Sequence, residues 1–163
     1  MSDSATVQVP REYGYVLLTA ATSYLLSNWL GVRIGPYRKA AKVPQPFAFA
    51  SAETISNASS AEHKRALYLF NCAQRGHYNF LENYPPALTG MLVTGLWYRK
   101  FAAAVGAVWI AGRAIYALGY TSASKKNVDG RGRWAYGGFY MAAVSQTAFL
   151  VAVGKIGLDL LMI

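Results

Sequence analysis

Two stretches without a single charged residue, 13–32 and 134–154, set the first constraint on this 163-residue chain. The first is 20 residues long, enough for a helix to cross a hydrocarbon core of about 30 Å at about 1.5 Å per residue. Two further stretches, 66–97 and 101–120, are apolar apart from Arg75, His77 and Glu82 in the one and Arg113 in the other. Charged residues make up only 14% of the chain, against about 25% in an ordinary soluble domain. Tyr13, Tyr15, Trp29, Trp97, Tyr98, Trp134 and Tyr136 collect near the ends of these stretches, as aromatic side chains do at membrane interfaces. The expectation is an all-α integral membrane protein: a four-transmembrane-helix bundle with helices over about 13–32, 60–97, 101–120 and 134–158, in a single domain covering 1–163. The alternative is a soluble bundle of four buried helices, which would have to hide an unusually large apolar fraction.

Residues 1–12 lack a basic leader region and no small-residue cleavage pattern follows the first apolar run, so that run is expected to be a retained anchor. The one cysteine, Cys72, excludes an internal disulfide framework. Ten basic residues fall between the first and second or the third and fourth stretches, against three (Arg11, Arg99, Lys100) on the opposite side. Both long loops are therefore expected in the cytosol and both termini on the lumenal or outer side. A net charge of +9 then requires no nucleic acid as partner; an anionic leaflet or an anionic substrate accounts for it equally. Loop 33–65, rich in Ala and Ser and carrying Pro44 and Pro46, is expected to be largely irregular. Ser59 and Glu62 have capping-box spacing, which starts the second helix before the membrane does, and Pro85 with Pro86 should kink it. Asn57-Ala58-Ser59 matches a glycosylation sequon that a cytosolic loop would leave unmodified.

Helix geometry sorts the intramembrane polar residues. Arg75, Asn79 and Glu82 are spaced i, i+4, i+7 and fall within about 60° of one another, whereas His77 lies about 200° from Arg75 and faces a different neighbour. Arg113, Tyr116 and Tyr120 make a second stripe, on the third helix. Ala103, Ala107, Ala111 and Ala114 form a small-residue stripe on another side, suited to close helix packing. A charge at bilayer depth costs about 2.5–3.5 kcal/mol by insertion scales, so such groups normally mark a functional polar site. Two guanidiniums can each fork onto a carboxylate, Glu82 can hold an ammonium and Asn79 an amide. Glutathione offers two carboxylates, an ammonium, two amides and a thiol. The alternative is an internal Arg75–Glu82 or Arg113–Glu82 pair. On their own, His77 reads as a helix bridge, Cys72 as a packing residue, and Lys155 with Asp159 as an interfacial anchor.

Phe70-Asn71-Cys72-Ala73-Gln74-Arg75-Gly76-His77-Tyr78-Asn79, then Glu82 and Tyr84-Pro85-Pro86, and later Gly112-Arg113 through Tyr116 to Gly119-Tyr120, resemble the MAPEG superfamily. Within it the pattern is most similar to the type-three microsomal glutathione transferases. The resemblance covers nearly the whole chain after Tyr13. It implies a homotrimer with glutathione held between subunits near the cytosolic surface by Arg75, Asn79, Glu82, Arg113, Tyr116 and Tyr120 of one subunit. It further implies that His77 and Arg38 reach glutathione from the neighbouring subunit. Asn83 stands where relatives that make leukotriene C have a tyrosine, and Lys39 where they have an arginine, so the charge is kept without the fork. The thiol-activating arginine of such proteins lies in the loop before the fourth helix; Arg133 is the best match to it, with Arg131 close behind.

A thiol of reference pKa about 8.5 is only a few per cent ionised at neutral pH, and the thiolate is the nucleophile. An arginine is no base, but beside the sulfur it stabilises the anion; lowering the pKa by about two units takes about 2.7 kcal/mol. The expected function is thus a membrane-bound glutathione S-transferase and glutathione-dependent lipid hydroperoxide peroxidase, acting on lipophilic electrophiles or lipid hydroperoxides. Its co-substrate is glutathione, no metal is needed, and chemistry of the leukotriene C synthase kind is open to it. The expected location is the endoplasmic reticulum, nuclear envelope or mitochondrial outer membrane. Two alternatives are a non-catalytic, lipid-presenting scaffold of the same superfamily and a small transporter using Arg75, His77 and Glu82 as a relay. The second lacks inverted repeats or paired broken helices.

Overall fold

The computed structural model describes residues 9–162; the reading of the extreme N-terminus, residues 1–8, lies outside them. Among these residues there are four long helices, α1 (Tyr13–Val32), α4 (Ala61–Trp97), α5 (Arg99–Tyr120) and α6 (Gly138–Leu161), with two short ones, α2 (Ile34–Ala41) and α3 (Ala52–Ser56), between α1 and α4. Hydroxyls along the apolar helices bond back one turn, Thr22 to Leu18 O at 2.9 Å and Ser145 to Met141 O at 2.8 Å. No outside partner is then required of them. Ser60 rather than Ser59 caps α4, its Oγ accepting from His63 N at 3.0 Å, with Glu62 in the first turn where the helix dipole favours it. Loop 33–65, expected to be irregular, contains α2 and α3.

The register follows from the contacts. α4 and α5 are joined through Tyr98 alone and run antiparallel: Met91 packs with Ala102, and Phe80 with Trp109. α5 and α6 fold back antiparallel again, while α1 lies along both α4 and α5. α1 and α6 do not touch, so the α4–α5 pair forms the short diagonal of the bundle. Its middle is filled by Leu26, Leu30, Phe80, Trp109 and Ala142. Both long connections consequently end up at one end of the molecule, beside Tyr120, and the start of α1 and the end of α6 at the other.

The α5–α6 seam is set by glycine. A Cβ on Gly138 would stand 2.5 Å from Gly112 O and 2.5 Å from Tyr116 N, both backbone atoms. Of the α5 alanine stripe expected to suit close helix packing, Ala114 packs against the core while Ala107 and Ala111 are exposed in the single chain, and the buried face of α5 includes Ala102, Gly106, Trp109 and Gly112. Small size alone did not distinguish the two sides of the helix. The expected helix 134–158 begins only at Gly138, because Arg131–Trp134 form a turn of 3-10 helix ahead of it.

Among the described residues two helices, α5 and α6, are long and apolar enough to cross a membrane. In α1, Ser, Thr, Tyr and Asn dilute the apolar run; in α4, Arg75, His77 and Glu82 interrupt it. The outer faces of α1 and α6 are nevertheless apolar: Leu18, Leu25, Val144 and Leu150 are 65–74% exposed, a pattern that marks an interaction or membrane surface. Gly138→Ala is expected to cost about 1–3 kcal/mol through overpacking at the seam. Thermal unfolding in detergent measures this, and an unchanged midpoint would show that the helices separate freely there.

Candidate functional site

The α4 stripe and the α5 stripe meet at the loop end of the bundle. Arg75 donates to both oxygens of Glu82, Nη1 to Oε1 at 2.6 Å and Nη2 to Oε2 at 3.2 Å. This is one of the two alternatives weighed from the sequence, an internal pair, and it closes within a single helix. Asn79 links it onward: Nδ2 donates to Glu82 Oε2 at 3.4 Å, while Oδ1 accepts from Arg113 Nη2 at 2.7 Å. Arg113 lies over the Tyr116 ring at 5.0 Å, and Tyr116 stands edge-on to Tyr120 at 5.6 Å. Arg133 follows at 5.9 Å from the Tyr120 ring. Six expected glutathione residues and Arg133 therefore form one continuous string across α4, α5 and the last loop.

Within that string Arg113 is the anomaly. It is 4% exposed, its Nε has no hydrogen-bond partner, and no carboxylate lies within ion-pair distance of it among the described residues. A guanidinium has five donors, and burying an uncompensated charge costs several kcal/mol. The nearest carboxylate, Glu82, is already committed to Arg75.

Three expected site residues stand apart from the string. His77 faces α1, its Cε1 3.6 Å from where a Cβ on Gly31 would lie. Arg38 lies over the Phe70 ring at 4.8 Å and donates to Phe47 O at 2.7 Å. Arg131 is exposed, and its side chain makes no hydrogen bond or ion pair among the described residues. Asn83 donates to Asn79 O at 2.7 Å, and its own carbonyl accepts from Gln146 of α6 at 3.2 Å, near the carbonyls left without helix donors by Pro85 and Pro86. Among the described residues, no group of His, Cys, Asp or Glu could hold a metal ion.

A model of the MAPEG family matches residues 16–153. This chain belongs to the MAPEG family. The family is membrane-associated, and it includes glutathione-dependent transferases and peroxidases as well as non-catalytic members. The match runs from α1 into the second half of α6, so it takes in every residue of the string.

What the sequence did not reveal is how this MAPEG chain builds its loops. Asn127 is 2% exposed. Its Nδ2 donates to Tyr120 O and Ser122 O, both at 2.9 Å, while its Oδ1 accepts from Gly132 N at 3.0 Å and Tyr68 Oη at 3.3 Å. Arg65 donates to Asn127 O at 2.7 Å and to the carbonyls of Ser122 and Ser124 at 3.0 and 2.9 Å. Arg33 donates to Ala117 O at 3.2 Å and Thr121 Oγ1 at 2.8 Å, placing a cation at the C-terminus of α5 where the dipole favours one. Asn71 donates to Ala50 O and accepts from Ala50 N, while Gln74 bonds Ala48 O, which together hold the first loop on α4. The available signal was amide side chains inside an apolar helix, which must find partners somewhere. Asn127→Ala is expected to strand Tyr120 O, Gly132 N and the Tyr68 hydroxyl, Ser122 O keeping its bond from Arg65, and to cost at least about 2 kcal/mol, read as a lower unfolding midpoint in detergent; a change below about 0.5 kcal/mol would mean that water replaces the amide.

Proposed function

We propose that this chain is a glutathione-dependent membrane transferase and lipid hydroperoxide peroxidase of the type-three microsomal kind. Arg113 carries this reading: a buried guanidinium in an apolar helix, held by one neutral hydrogen bond and the faces of Trp109 and Tyr116, with its Nε unsatisfied and no anionic partner among the described residues, is the group with most to gain from a ligand's anion. In the proposed assembly four spans per subunit build a homotrimer, with the two long loops on the cytosolic face of the endoplasmic reticulum, nuclear envelope or mitochondrial outer membrane. Arg113 and Arg75 take the glutathione carboxylates, Glu82 the ammonium and Asn79 an amide. Tyr116 and Tyr120 wall the cleft. His77 and Arg38, which point away from Arg113, serve the neighbouring subunit's site.

Arg133 rather than Arg131 is the group assigned to the sulfur, because it lies beside Tyr120 at the end of the string whereas Arg131 faces outward. Its fixed positive charge favours the thiolate over the thiol. The thiolate attacks an electrophilic carbon to give a thioether. On a hydroperoxide it attacks the terminal oxygen: the O–O bond breaks, the lipid leaves as an alcohol, and the resulting sulfenic acid condenses with a second glutathione to give the disulfide and water. The electrophile reaches the site from the bilayer. A lipid-presenting scaffold is the second reading, favoured by the Arg75–Glu82 pair, which satisfies both groups without a ligand.

Calorimetry with glutathione on the detergent-purified protein separates the two, since a scaffold gives no heat of binding. Offered a model electrophile and a lipid hydroperoxide, the protein is expected to turn over. Arg133→Ala should lower the rate by about 10²-fold, the usual loss for removing an electrostatic stabiliser, and leave glutathione affinity nearly unchanged; Arg131→Ala should leave both. Equal rates for wild type and Arg133→Ala would refute the thiolate assignment. Arg113→Gln is expected to weaken glutathione binding at least about tenfold, or about 1.4 kcal/mol, by the same calorimetry.

A further inference from the structure

Arg133 sits in a cradle that its own loop makes, and the cradle has two aromatic walls and a floor with no side chain. Its guanidinium carbon lies 5.0 Å from the Trp134 ring and 5.9 Å from the Tyr120 ring. Gly130, at φ 72°, forms the floor: a Cβ there would stand 2.6 Å from Arg133 Nη1 and 3.3 Å from the Tyr120 ring. Gly130 is held in place by its backbone N donating to Tyr68 Oη at 2.8 Å. Aromatic faces attract a guanidinium without using its N–H donors, which all lie in its plane. Among the described residues the Arg133 side chain makes no hydrogen bond and no ion pair. The charge is thus located while its hydrogen-bonding edge stays unspent; a carboxylate in place of the rings would have consumed it.

We infer that Trp134 and Gly130 are positioning residues which hold the Arg133 guanidinium over an aromatic ring and above a floor without a side chain, and keep its N–H donors available to the glutathione sulfur. This rests on the role proposed for Arg133 and adds how that role is secured. Trp134 is itself fixed, standing edge-on to Phe139 with ring centroids 4.3 Å apart. The ionisable groups around the cradle are Tyr68 and Cys72 from α4, Tyr116 and Tyr120 from α5, and Asp129 and Arg131 from the loop. None of these offers Arg133 an ion pair.

The test uses the full chain in detergent and reads the ultraviolet absorbance of the bound glutathione thiolate against pH. Binding of S-methylglutathione, which has no proton to lose, is measured in parallel. Trp134→Leu is expected to raise the thiolate midpoint by about one unit, a tenfold change in the ionisation constant, with S-methylglutathione affinity unchanged. Trp134→Phe, which keeps a ring face, should recover most of the shift. A wild-type midpoint well below that of free glutathione that stays put in Trp134→Leu overturns the inference and leaves the proposed function standing. A wild type that binds no glutathione, or leaves its thiol at the free value, overturns both. Should Trp134→Leu lose S-methylglutathione binding altogether, Gly130→Ala decides: it intrudes on the guanidinium while keeping both rings. An upward shift in that variant supports the inference, and an unmoved midpoint overturns it.

Discussion

The geometry of the loop end depends on the side-chain amide of Asn127. Its two donors and its oxygen join the C-terminus of α5, the loop beyond it and Tyr68 of α4. A connection of this length, rich in Gly and Ser, has many carbonyls and amides and few apolar contacts with which to order itself. Here a single buried amide and Arg65 absorb those groups from inside. Tyr120, Gly130 and Arg133 owe their relative positions to this knot, so the cation nearest the proposed sulfur position is placed by residues that never approach it.

Electrostatics divides the string into two unlike halves. At the α4 end Arg75 and Glu82 form a half-exposed, self-satisfied pair, of a kind that contributes little to stability. At the α5 end Arg113 is buried and only partly satisfied. Asn79 bridges the two halves, its oxygen on one and its nitrogen on the other. Membership of the MAPEG family makes a glutathione-binding purpose for such an arrangement natural, and the imbalance within it indicates which guanidinium has most to gain from an anion.

Much of this was legible in the residues, for identifiable reasons. Helix periodicity placed Arg75, Asn79 and Glu82 on one face and turned His77 toward a different neighbour, because both follow from 3.6 residues per turn alone. The seam between α5 and α6 was not legible: alanines and glycines on different sides of α5 look equally small, and only the approach of a second backbone distinguishes Gly112 from Ala107. Nor did periodicity separate Arg131 from Arg133, two residues apart in a loop, where the preference for Arg133 came from the resemblance alone. The short helices α2 and α3 were missed because each depends on packing against α4, which no local pattern announces.

The close approach of α5 and α6 has a mechanical consequence. Gly112 meets Gly138, and Gly119 meets Gly132, backbone against backbone, so the segment carrying Arg133 is clamped on both sides at its roots. Neither root can swing without prising main chain from main chain. Repositioning of that cation is therefore confined to the torsions of its own aliphatic stem, and the surrounding chain behaves as a fixed socket instead of a hinge.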